Sequence, residues 1–420
     1  MKILGEVLNS IIADIKRRQS DSDYCEGGKP GAVIFIPSGD YHLRTQVVID
    51  LSYLKIMGTG HGFVSSSIRY NLPEKEWKDL HEIWPGGSRI LVDLDVNPED
   101  DEKDGAAFYV KREGNPRISS VEFENFCIDG LHFVDDGNGD PENTYVNGKT
   151  GIYVASAQDS FRITGMGIIY LEHGVTLYNS DALSVHDNFI AECGNCVELR
   201  GAGQASKITD NLMGAGYRGH SIYAENFGGL LVASNNIFPR GRSIVHFRGV
   251  LRSSVTANRF HSFYPGMLIF EDCRENLVSS NHFLRDHEPW PPMQRYDNGL
   301  NDDYGLIHID GSCNSVISNH ISETIEMQYL KSGRDKACGD PPGFRNRKLR
   351  CLQSYCSDYT SRQKRKRRGF FLLRCTGGGH LLSMNELVRL SVDAVRVDAA
   401  SSDNVILDTC RESEAAMDFD

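Results

Sequence analysis

The sequence predicts an all-β protein, a right-handed parallel β-helix with a short N-terminal helix. The main observation is an internal repeat of about 23 residues, because a fixed period of this kind is the signature of a solenoid. The second is that each repeat contains a short β-rich run bounded by turn-forming residues. The composition agrees, since 40% hydrophobic and 24% charged residues are typical of a globular chain. We expect residues 1–420 to form one domain.

The repeat emerges when six β-rich runs are aligned on an Asn near the end of each. The runs are LSVHDNFI (183–190), SKITDNLM (206–213), LVASNNIF (231–238), SSVTANRF (253–260), NLVSSNHF (276–283) and NSVISNHI (314–321). The aligned residues, separated by 23, 25, 22, 23 and 38 positions, are Asn188, Asn211, Asn236, Asn258, Asn281 and Asn319. FRITGMGI (161–168) fits one step earlier with Gly165 in the Asn place. HLLSMNEL (380–387) and DNVILDTC (403–410) fit as later coils.

A coil of this length holds three short strands and three turns. Such coils bury their apolar side chains only by stacking at about 4.8 Å. The recurrent Asn is expected at one corner, because Asn tolerates left-handed backbone conformations and can bond the Asn of the next coil. A leucine-rich repeat has a similar period, but its characteristic leucine spacing is absent, and a propeller blade needs about 40–50 residues.

The first 130 residues follow the same plan less regularly. Residues 31–43, 47–60 and 118–130 are predicted to contain strands separated by turns. The acidic segment 71–105, which contains Trp84, is predicted to be a long loop of the kind that often shapes a site.

The N-terminal residues 1–20 are predicted to form an amphipathic helix from their apolar periodicity. Glu6 and Asp14 within the apolar part argue against a signal peptide, and no stretch approaches the ~20 apolar residues of a membrane span. Eleven cysteines without a secretion signal favour free thiols in a reducing compartment, so we expect a cytoplasmic protein with no membrane partner. The net charge of −12 argues against a nucleic-acid partner.

Residues 331–369 break the repeat and contain 13 Lys or Arg residues against 3 Asp or Glu residues. A nuclear-targeting or nucleic-acid patch is one interpretation of this basic run. We favour the other, a loop insertion on the surface of the β-helix, because it also accounts for the irregular spacing of the last repeats.

A β-helix builds a site from equivalent positions of successive coils, which line up in columns. Alternation in CVEL puts Val197 inside and Glu198 outside. Alignment on the glycines that follow puts Tyr223 and His246 in the same outward column on the next two coils. We therefore expect an acid, a phenol and an imidazole to line one face.

The densest group of polar side chains lies within 186–204. It comprises Asp187, Glu192, Glu198 and Gln204, and Asp210 holds the place of Asp187 one coil later. Carboxylates about 5 Å apart suit paired acid–base chemistry, so this segment is the candidate active site. A solvated surface role is the alternative for each single acid.

Other side chains are candidates for binding. Arg240 and Arg242 could bond sugar hydroxyls or carboxylates, with ordinary ion pairs as the alternative. Trp84 and Tyr264 could stack on sugar rings, with core packing as the alternative.

Neither a metal site nor a redox site is favoured by the sequence. Cys193 and Cys196 form a CxxC pair, but zinc would need two more ligands, so buried thiols are the preferred interpretation. His173, His220 and His246 lie in separate coils without a metal-ligand spacing.

Several long segments resemble those of the inulin fructotransferases and difructose dianhydride III hydrolases, which make up glycoside hydrolase family 91. The segments are PSGDYHL, VVIDLSYLKIMGTGHGF, NGKTGIYVAS, DSFRITGMG, YLEHG, HDNFIAECGNCVEL, GAGQ, FPRGRS and FYPGM. The resemblance covers about residues 5–325 and resumes at about 370–410, and the basic stretch 331–369 departs from the family pattern. It implies a homotrimer with active sites between subunits, no metal or other cofactor, and catalytic carboxylates at Asp187 and Glu198.

The resemblance also implies the chemistry. The transferases release the terminal difructose of inulin as a cyclic dianhydride, and the hydrolases open the dianhydride with water to give inulobiose. Because a ketofuranosyl bond breaks through an oxocarbenium-like state, one carboxyl must donate a proton. We expect Glu198, its pKa raised by Val197 and Asp187, to be that acid and later the base, while Asp187 stays ionised.

Three functions therefore stand. A dianhydride is small enough to import, whereas inulin is usually met outside the cell, so a cytoplasmic enzyme favours the hydrolase. The alternative is an inulin fructotransferase that releases difructose dianhydride from chain ends. The third is a carbohydrate-binding β-helix without catalysis. Loss of activity in a Glu198→Gln variant that keeps its trimer would support catalysis, whereas unchanged turnover would contradict the assignment.

Overall fold

The computed structural model describes residues 4–18, 31–62, 86–112, 117–131, 146–155, 158–215, 219–238, 244–262, 266–286, 305–324, 373–388, 395–397, 403–407 and 411–413. After one helix, Leu4–Arg18, these residues form a right-handed parallel β-helix, as predicted. In each regular coil the chain passes through a first, a second and a third sheet and then, in several coils, a minor sheet.

The first sheet contains Ala32–Phe35, Leu54–Met57, Glu122–Glu124, Arg162–Thr164, Ser184–His186, Lys207–Thr209, Leu231–Ala233, Ser254–Thr256, Leu277–Ser279, Ser315–Ile317, Leu381–Ser383 and Val405–Leu407. The second sheet contains Gly39–Leu43, Ser88–Val92, Cys127–Asp129, Gly167–Ile169, Phe189–Cys193, Leu212–Ala215, Asn236–Phe238, Arg259–Ser262, His282–Asp286, His320–Thr324, Glu386–Val388 and Arg411–Ser413.

The third sheet contains Val47–Ile49, Ala106–Val110, Thr150–Val154, His173–Tyr178, Asn195–Arg200, His220–Glu225, Ile244–Arg248, Leu268–Arg274, Ile307–Ser312, Leu373–Cys375 and Val395–Val397. The minor sheet contains the two-residue strands Ile118–Ser119, Gln158–Asp159, Ser180–Asp181, Gly203–Gln204 and Phe227–Gly228. This fourth element was not expected from the sequence, because two residues are too few to show alternation.

The core is a continuous apolar column inside the coils. Equivalent residues of successive coils stack on each other, as the ring pair Phe260 and Phe283 does with centroids 4.5 Å apart and planes at 5°. Phe247 and Phe270 repeat the arrangement at 5.4 Å and 9°. Burial thus depends on neighbouring coils, since a single coil has nothing to close on.

An Asn ladder fills the corner between the first and second sheets. Each side-chain amide donates to the Asn Oδ1 of the next coil at 2.9–3.0 Å, and the members are Asn188, Asn211, Asn235, Asn258, Asn281, Asn319 and Asn385. The prediction of Asn236 was wrong, because that residue is exposed and Asn235 is buried in the ladder. Gly165 likewise does not hold the Asn place, which belongs to Met166 by register.

The left-handed residue at this corner is the one before each ladder Asn. Asp187 has a φ of 56° and Asp210 a φ of 59°, and Gly165 occupies the same position at 61°. The expectation that the Asn itself adopts the left-handed conformation was therefore wrong. Asn suits this position because its side-chain amide both donates and accepts hydrogen bonds, and not because of its backbone conformation.

Two coils of the Asn ladder are longer than its other coils. Ladder steps of 38 and 66 residues, against 23 or 24 elsewhere, run through 287–304 and 325–372, which lie outside the described residues. The strands on either side still stack, since His282–Asp286 pairs with His320–Thr324 and this with Glu386–Val388. The predicted basic insertion at 331–369 lies in the second of these ranges and stays a prediction.

The acidic segment 71–105 is not one long loop. Its residues 71–85, with Trp84, lie outside the described residues, but Ser88–Val92 is a strand of the second sheet. Ile90 and Val92 are fully buried there. The short alternation of apolar residues in this strand was missed in the sequence because charged residues surround it. Residues 93–105 then form a loop that carries Glu102 towards the third sheet.

The N-terminal helix confirms the predicted amphipathic helix. Leu8 and Ile12 are buried, and Asn9 bonds the backbone of the edge strand Val47–Ile49, with its Nδ2 on Gln46 O and its Oδ1 on Val48 N. Gly5 is required by close approach, because a Cβ there would lie 2.0 Å from Thr45 O. The helix therefore covers an end that would otherwise expose unpaired strand groups.

Within the described ranges, no helix has the length and apolar character to cross a membrane. Cys193 and Cys196 are buried and not joined in a disulfide, which agrees with the preferred interpretation of the CxxC pair.

Candidate active site

The outer face of the third sheet carries the column predicted from the repeat. The strand register places Glu198 beside Thr176 on one side and Tyr223 on the other, and Tyr223 beside His246. Val197 and Leu199 point into the core, so Glu198 points outward. The alternation of side chains, set by the strand, is what positions this carboxylate.

A cleft of about 500 Å³ opens on this face. Its walls are formed by Tyr178, Glu198, Arg200, His220, Tyr223, Glu225 and His246. Three of these residues, Glu198, Tyr223 and His246, were candidates from the sequence. The cleft therefore collects residues from four successive coils, which no linear motif could indicate.

Glu198 is the most deeply placed acid of the cleft, with only 3% of its surface exposed. Its Oε2 lies 2.7 Å from Nδ1 of His173, and its Oε1 accepts a 2.7 Å hydrogen bond from Arg200 Nη2. Both carboxylate oxygens are therefore paired with a nitrogen donor, which is what a buried carboxylate requires.

Glu102 lies in the loop before the third-sheet strand Ala106–Val110 and belongs to the same network. Its Oε1 is 3.1 Å from Arg200 Nη1 and 3.5 Å from His173 Nε2. Arg200 also donates to the Tyr178 hydroxyl at 3.2 Å. Two carboxylates, one guanidinium and one imidazole thus form a connected group at the base of the cleft.

This network decides the charge on Glu198. Burial raises the pKa of its carboxyl, but the His173 hydrogen bond and the charges of His173 and Arg200 outweigh burial and hold the pKa at about 2. The expectation of a raised pKa was therefore wrong, because apolar surroundings were weighed without these partners. Arg200 in turn has its pKa raised, against its own burial, by the charge of Glu198.

Three rings form the opposite wall. His220, Tyr223 and His246 have centroids 5.0–5.5 Å apart, and His246 Nδ1 is 3.3 Å from His220 Nε2. The Tyr223 hydroxyl donates to Glu225 Oε2 at 2.9 Å, and burial together with this bond raises the pKa of Tyr223 to about 12. Burial lowers the pKa of His246, although Glu271 opposes it. These shifts favour the neutral forms of Tyr223 and His246, and the wall offers ring faces and hydrogen-bonding edges to a ligand.

Asp187 does not lie in this cleft. It occupies the exposed turn between the first and second sheets, with 67% of its side chain exposed and Oδ2 3.0 Å from His186 Nδ1. The strand Phe189–Cys193, about 16 Å long, separates it from the strand that carries Glu198. The expectation that Asp187 raises the pKa of Glu198 was therefore wrong within one chain.

The other candidates of 186–204 are also spread around the coil. Glu192 is buried at the end of a second-sheet strand, whereas Gln204 is exposed in the minor sheet. Asp210 is exposed one coil above Asp187. The sequence cluster is thus not a spatial cluster in one chain, because a coil turns its consecutive residues to different sides.

Four further candidates, Trp84, Arg240, Arg242 and Tyr264, lie outside the described residues.

Sequence reasoning missed several members of the network. Arg200 lies two residues after Glu198 on the same strand, and alternation alone would have placed it on the same face. Tyr178 precedes Arg200 by one coil in register. Glu102 had no sequence signal, since a loop brings it to the cleft.

Among the described residues, one group of acidic and His side chains is close enough to hold a cation. The ligand-type atoms of Glu102, His173 and Glu198 all lie within 4.8 Å of one another. The guanidinium of Arg200 already bonds both carboxylates. The carboxylate oxygens of this group therefore already have a cationic partner within the described residues.

Comparison with known proteins identifies relatives of this chain. The chain is 41% identical over 333 residues to an inulin fructotransferase (DFA-I-forming) of Arthrobacter globiformis, a match that covers 78% of each chain. A family model described as the β-helix repeat of inulin fructotransferase matches residues 280–337. Another, described as periplasmic copper-binding protein (NosD), matches residues 99–290.

Solved structures agree with these matches. The DFA-IIIase of Arthrobacter chlorophenolicus A6, without its lid and in complex with GF2, is 58% identical with a TM-score of 0.81, covering 97% of this chain and 91% of that one. The same enzyme in complex with DFA-III is 55% identical with a TM-score of 0.79, covering 96% and 90%.

Proposed function

The chain belongs to glycoside hydrolase family 91, the inulin fructotransferases and difructose dianhydride III hydrolases, and from this membership we propose that it hydrolyses difructose dianhydride III to inulobiose. It is an enzyme that acts on fructosyl linkages. The carrying observation is the 55–58% identity, over nearly the whole chain, to an enzyme solved in complex with DFA-III.

Inulin fructotransferase activity is the second candidate. The 41% identity to a fructotransferase over 78% of the chain favours it. Both activities break a fructosyl bond with the same carboxylates and differ in the acceptor, which is water in one and a hydroxyl of the substrate in the other.

Glu198 is the proposed proton donor to the leaving oxygen and the later base. Its outward position on the third sheet, where it lines the cleft, supports this role. Tyr223 and His246 line the same cleft and are proposed to bind the sugar. Glu192, Gln204, Asp210, Trp84, Arg240, Arg242 and Tyr264 stay proposed substrate contacts.

A homotrimer with sites between subunits is part of the proposal. Asp187, the second proposed carboxylate, is exposed and far along the coil from Glu198, so a neighbouring subunit is the natural way to bring the two together. A groove of about 530 Å³ beside it, lined in part by Arg162, His186 and Lys207, leaves space for such a contact. Free thiols in the described residues suit a cytoplasmic location, which fractionation of the source cells would test.

The test of function is incubation with difructose dianhydride III and, separately, with inulin, with products separated by chromatography. Inulobiose from the dianhydride is the expected result. Release of a cyclic dianhydride from inulin would instead establish the fructotransferase, and binding of either sugar without turnover would leave only a carbohydrate-binding protein.

The shared site is tested by mixing inactive subunits. Asp187→Asn and Glu198→Gln are each expected to be inactive, but co-expression should restore part of the activity. Hybrid trimers would contain some interfaces with both native carboxylates. Absence of any restoration in hybrids whose mixed composition is proven by mass spectrometry would exclude a site built from both subunits.

A further inference from the structure

His173 lies at the base of the cleft between two carboxylates. Its Nδ1 is 2.7 Å from Glu198 Oε2, and its Nε2 is 3.5 Å from Glu102 Oε1. Only 13% of its side chain is exposed. Carboxylates are acceptors, so a carboxylate on each side of the ring favours a hydrogen on both nitrogens, which is the imidazolium form.

The charged groups around the ring favour this state. Glu198 faces it from the neighbouring strand and Glu102 from the loop, and Glu172 immediately precedes the strand that begins at His173. Burial lowers the pKa of His173, but the hydrogen bond and charge of Glu198, followed by the charges of Glu102 and Glu172, raise it above its ordinary value. The guanidinium of Arg200 bonds the same two carboxylates.

The network raises a chemical difficulty for the proposed reaction. A carboxylate held in its ionised form by Arg200 and His173 has no proton to give to a leaving oxygen. The imidazolium in contact with it has one. The two groups share a hydrogen bond of 2.7 Å, which is short enough for direct transfer and makes the pair titrate as a unit.

We propose that His173 is the proton store of Glu198 and that Glu102 holds the imidazolium in place. This rests on the proposed function. The proton passes from His173 Nδ1 to the Glu198 carboxylate and on to the glycosidic oxygen as its bond to the anomeric carbon breaks. Water then bonds to that carbon, and the proton it loses returns through Glu198 to His173, which ends as an imidazolium.

The first test is His173→Gln, whose amide can still donate to Glu198 but cannot deliver a proton. We expect kcat to fall about 10²-fold with KM changed little, since general acid–base catalysis contributes at least this much. The matched control is His42→Gln, a half-exposed surface histidine beside Asp93, which should leave kcat unchanged. Added imidazole should partly restore a His173→Gly variant.

The second test is Glu102→Gln, which keeps the shape and removes the charge. Without that charge the imidazolium loses its proton more easily, so the basic limb of the kcat–pH profile should move to lower pH. Asp101→Asn is the control, because Asp101 lies in the same loop but pairs with Lys103. A Glu102→Gln profile that superimposes on that of the unaltered enzyme would contradict the holding role.

The outcomes separate the two proposals. An unaltered chain that turns over neither sugar would overturn the proposed function and the proton store with it. An active chain whose His173→Gln variant keeps its kcat and pH profile would overturn the proton store alone. Loss of kcat without rescue by imidazole and without a changed pH profile would show a packing role instead.

Discussion

Coils stack in the same way at two places, the corner between the first and second sheets and the outer face of the third sheet. The two places differ in whether successive coils repeat the same residue. At the corner, coil after coil places the same amide at the same position, and each Asn satisfies its neighbours. On the face, successive coils place Thr176, Glu198, Tyr223 and His246 in one column. Repeating one residue along this column would contribute only to stability. Because the residues of the column differ, they form a charged pair and a cleft.

The difference teaches where function lies in such a scaffold. A column that repeats one residue satisfies its own hydrogen bonds and offers nothing to a ligand. A column that changes residue must find partners elsewhere, and Glu198 finds them in His173 on the neighbouring strand and in Arg200 two residues further along its own strand. Breaks in the repeat, rather than the repeat, therefore indicate the site.

The largest effect is expected when the charge of Glu198 on the outer face of the third sheet is removed. Glu198→Gln removes the proton carrier and keeps the volume, so we expect turnover to fall by about 10²–10⁴-fold with the fold retained. Steady-state kinetics and circular dichroism measure the two effects. Glu275→Gln, an exposed acid paired with Arg252, is the control and should be fully active; equal turnover in both variants would contradict the assignment.

Removing one Asn of the ladder should lower the stability of the fold and leave activity unchanged. Asn258→Ala removes an amide that bonds Val232 O, Thr256 O and two ladder neighbours, leaving buried groups unsatisfied. The free energy of unfolding should fall by about 3 kcal/mol, with kcat of the folded protein unchanged. Urea denaturation measures it.

The control is built into the sequence. Asn236→Ala alters the exposed Asn next to the ladder and should change the free energy of unfolding by less than about 0.5 kcal/mol. Similar losses at positions 236 and 258 would show that the ladder bonds contribute nothing special.

The smallest effect is the pH dependence of stability. The pKa of Glu198 is about 2 in the folded protein against an ordinary value of 4.5, so its ionised form stabilises the folded state above pH 4.5, and this contribution is lost as the pH falls towards 2. His173, whose pKa is raised, contributes below 6.5 and loses this as the pH rises through its folded value.

Denaturation of the unaltered protein and of Glu198→Gln at several pH values checks this. The difference between them should be level near pH 5–6 and shrink on either side. The difference between the unaltered protein and Asn258→Ala should not vary in this way, because an amide does not titrate. A level difference for both variants down to pH 2 would mean that Glu198 is not held ionised by its partners.

Much of the fold was readable from the sequence because its cause is local. Alternation and turn residues in each coil predicted strands such as Ser184–His186 and Lys207–Thr209, and their spacing predicted the stacking. Errors arose where two residues competed for one position, as with Asn235 and Asn236. Either Asn suits the pattern, and only the register of the neighbouring coils selects one.

By itself, the sequence determined the β-helix, the N-terminal helix and the outward column of Glu198, Tyr223 and His246, because these follow from periodicity along one chain. Only the tertiary structure decided what surrounds Glu198. Glu102 and His173 reach it from 96 and 25 positions away, and His173 and Arg200 reverse the effect of burial on its pKa. It also separated Asp187 from the cleft, because each coil turns residues that are close in sequence to different sides of the molecule.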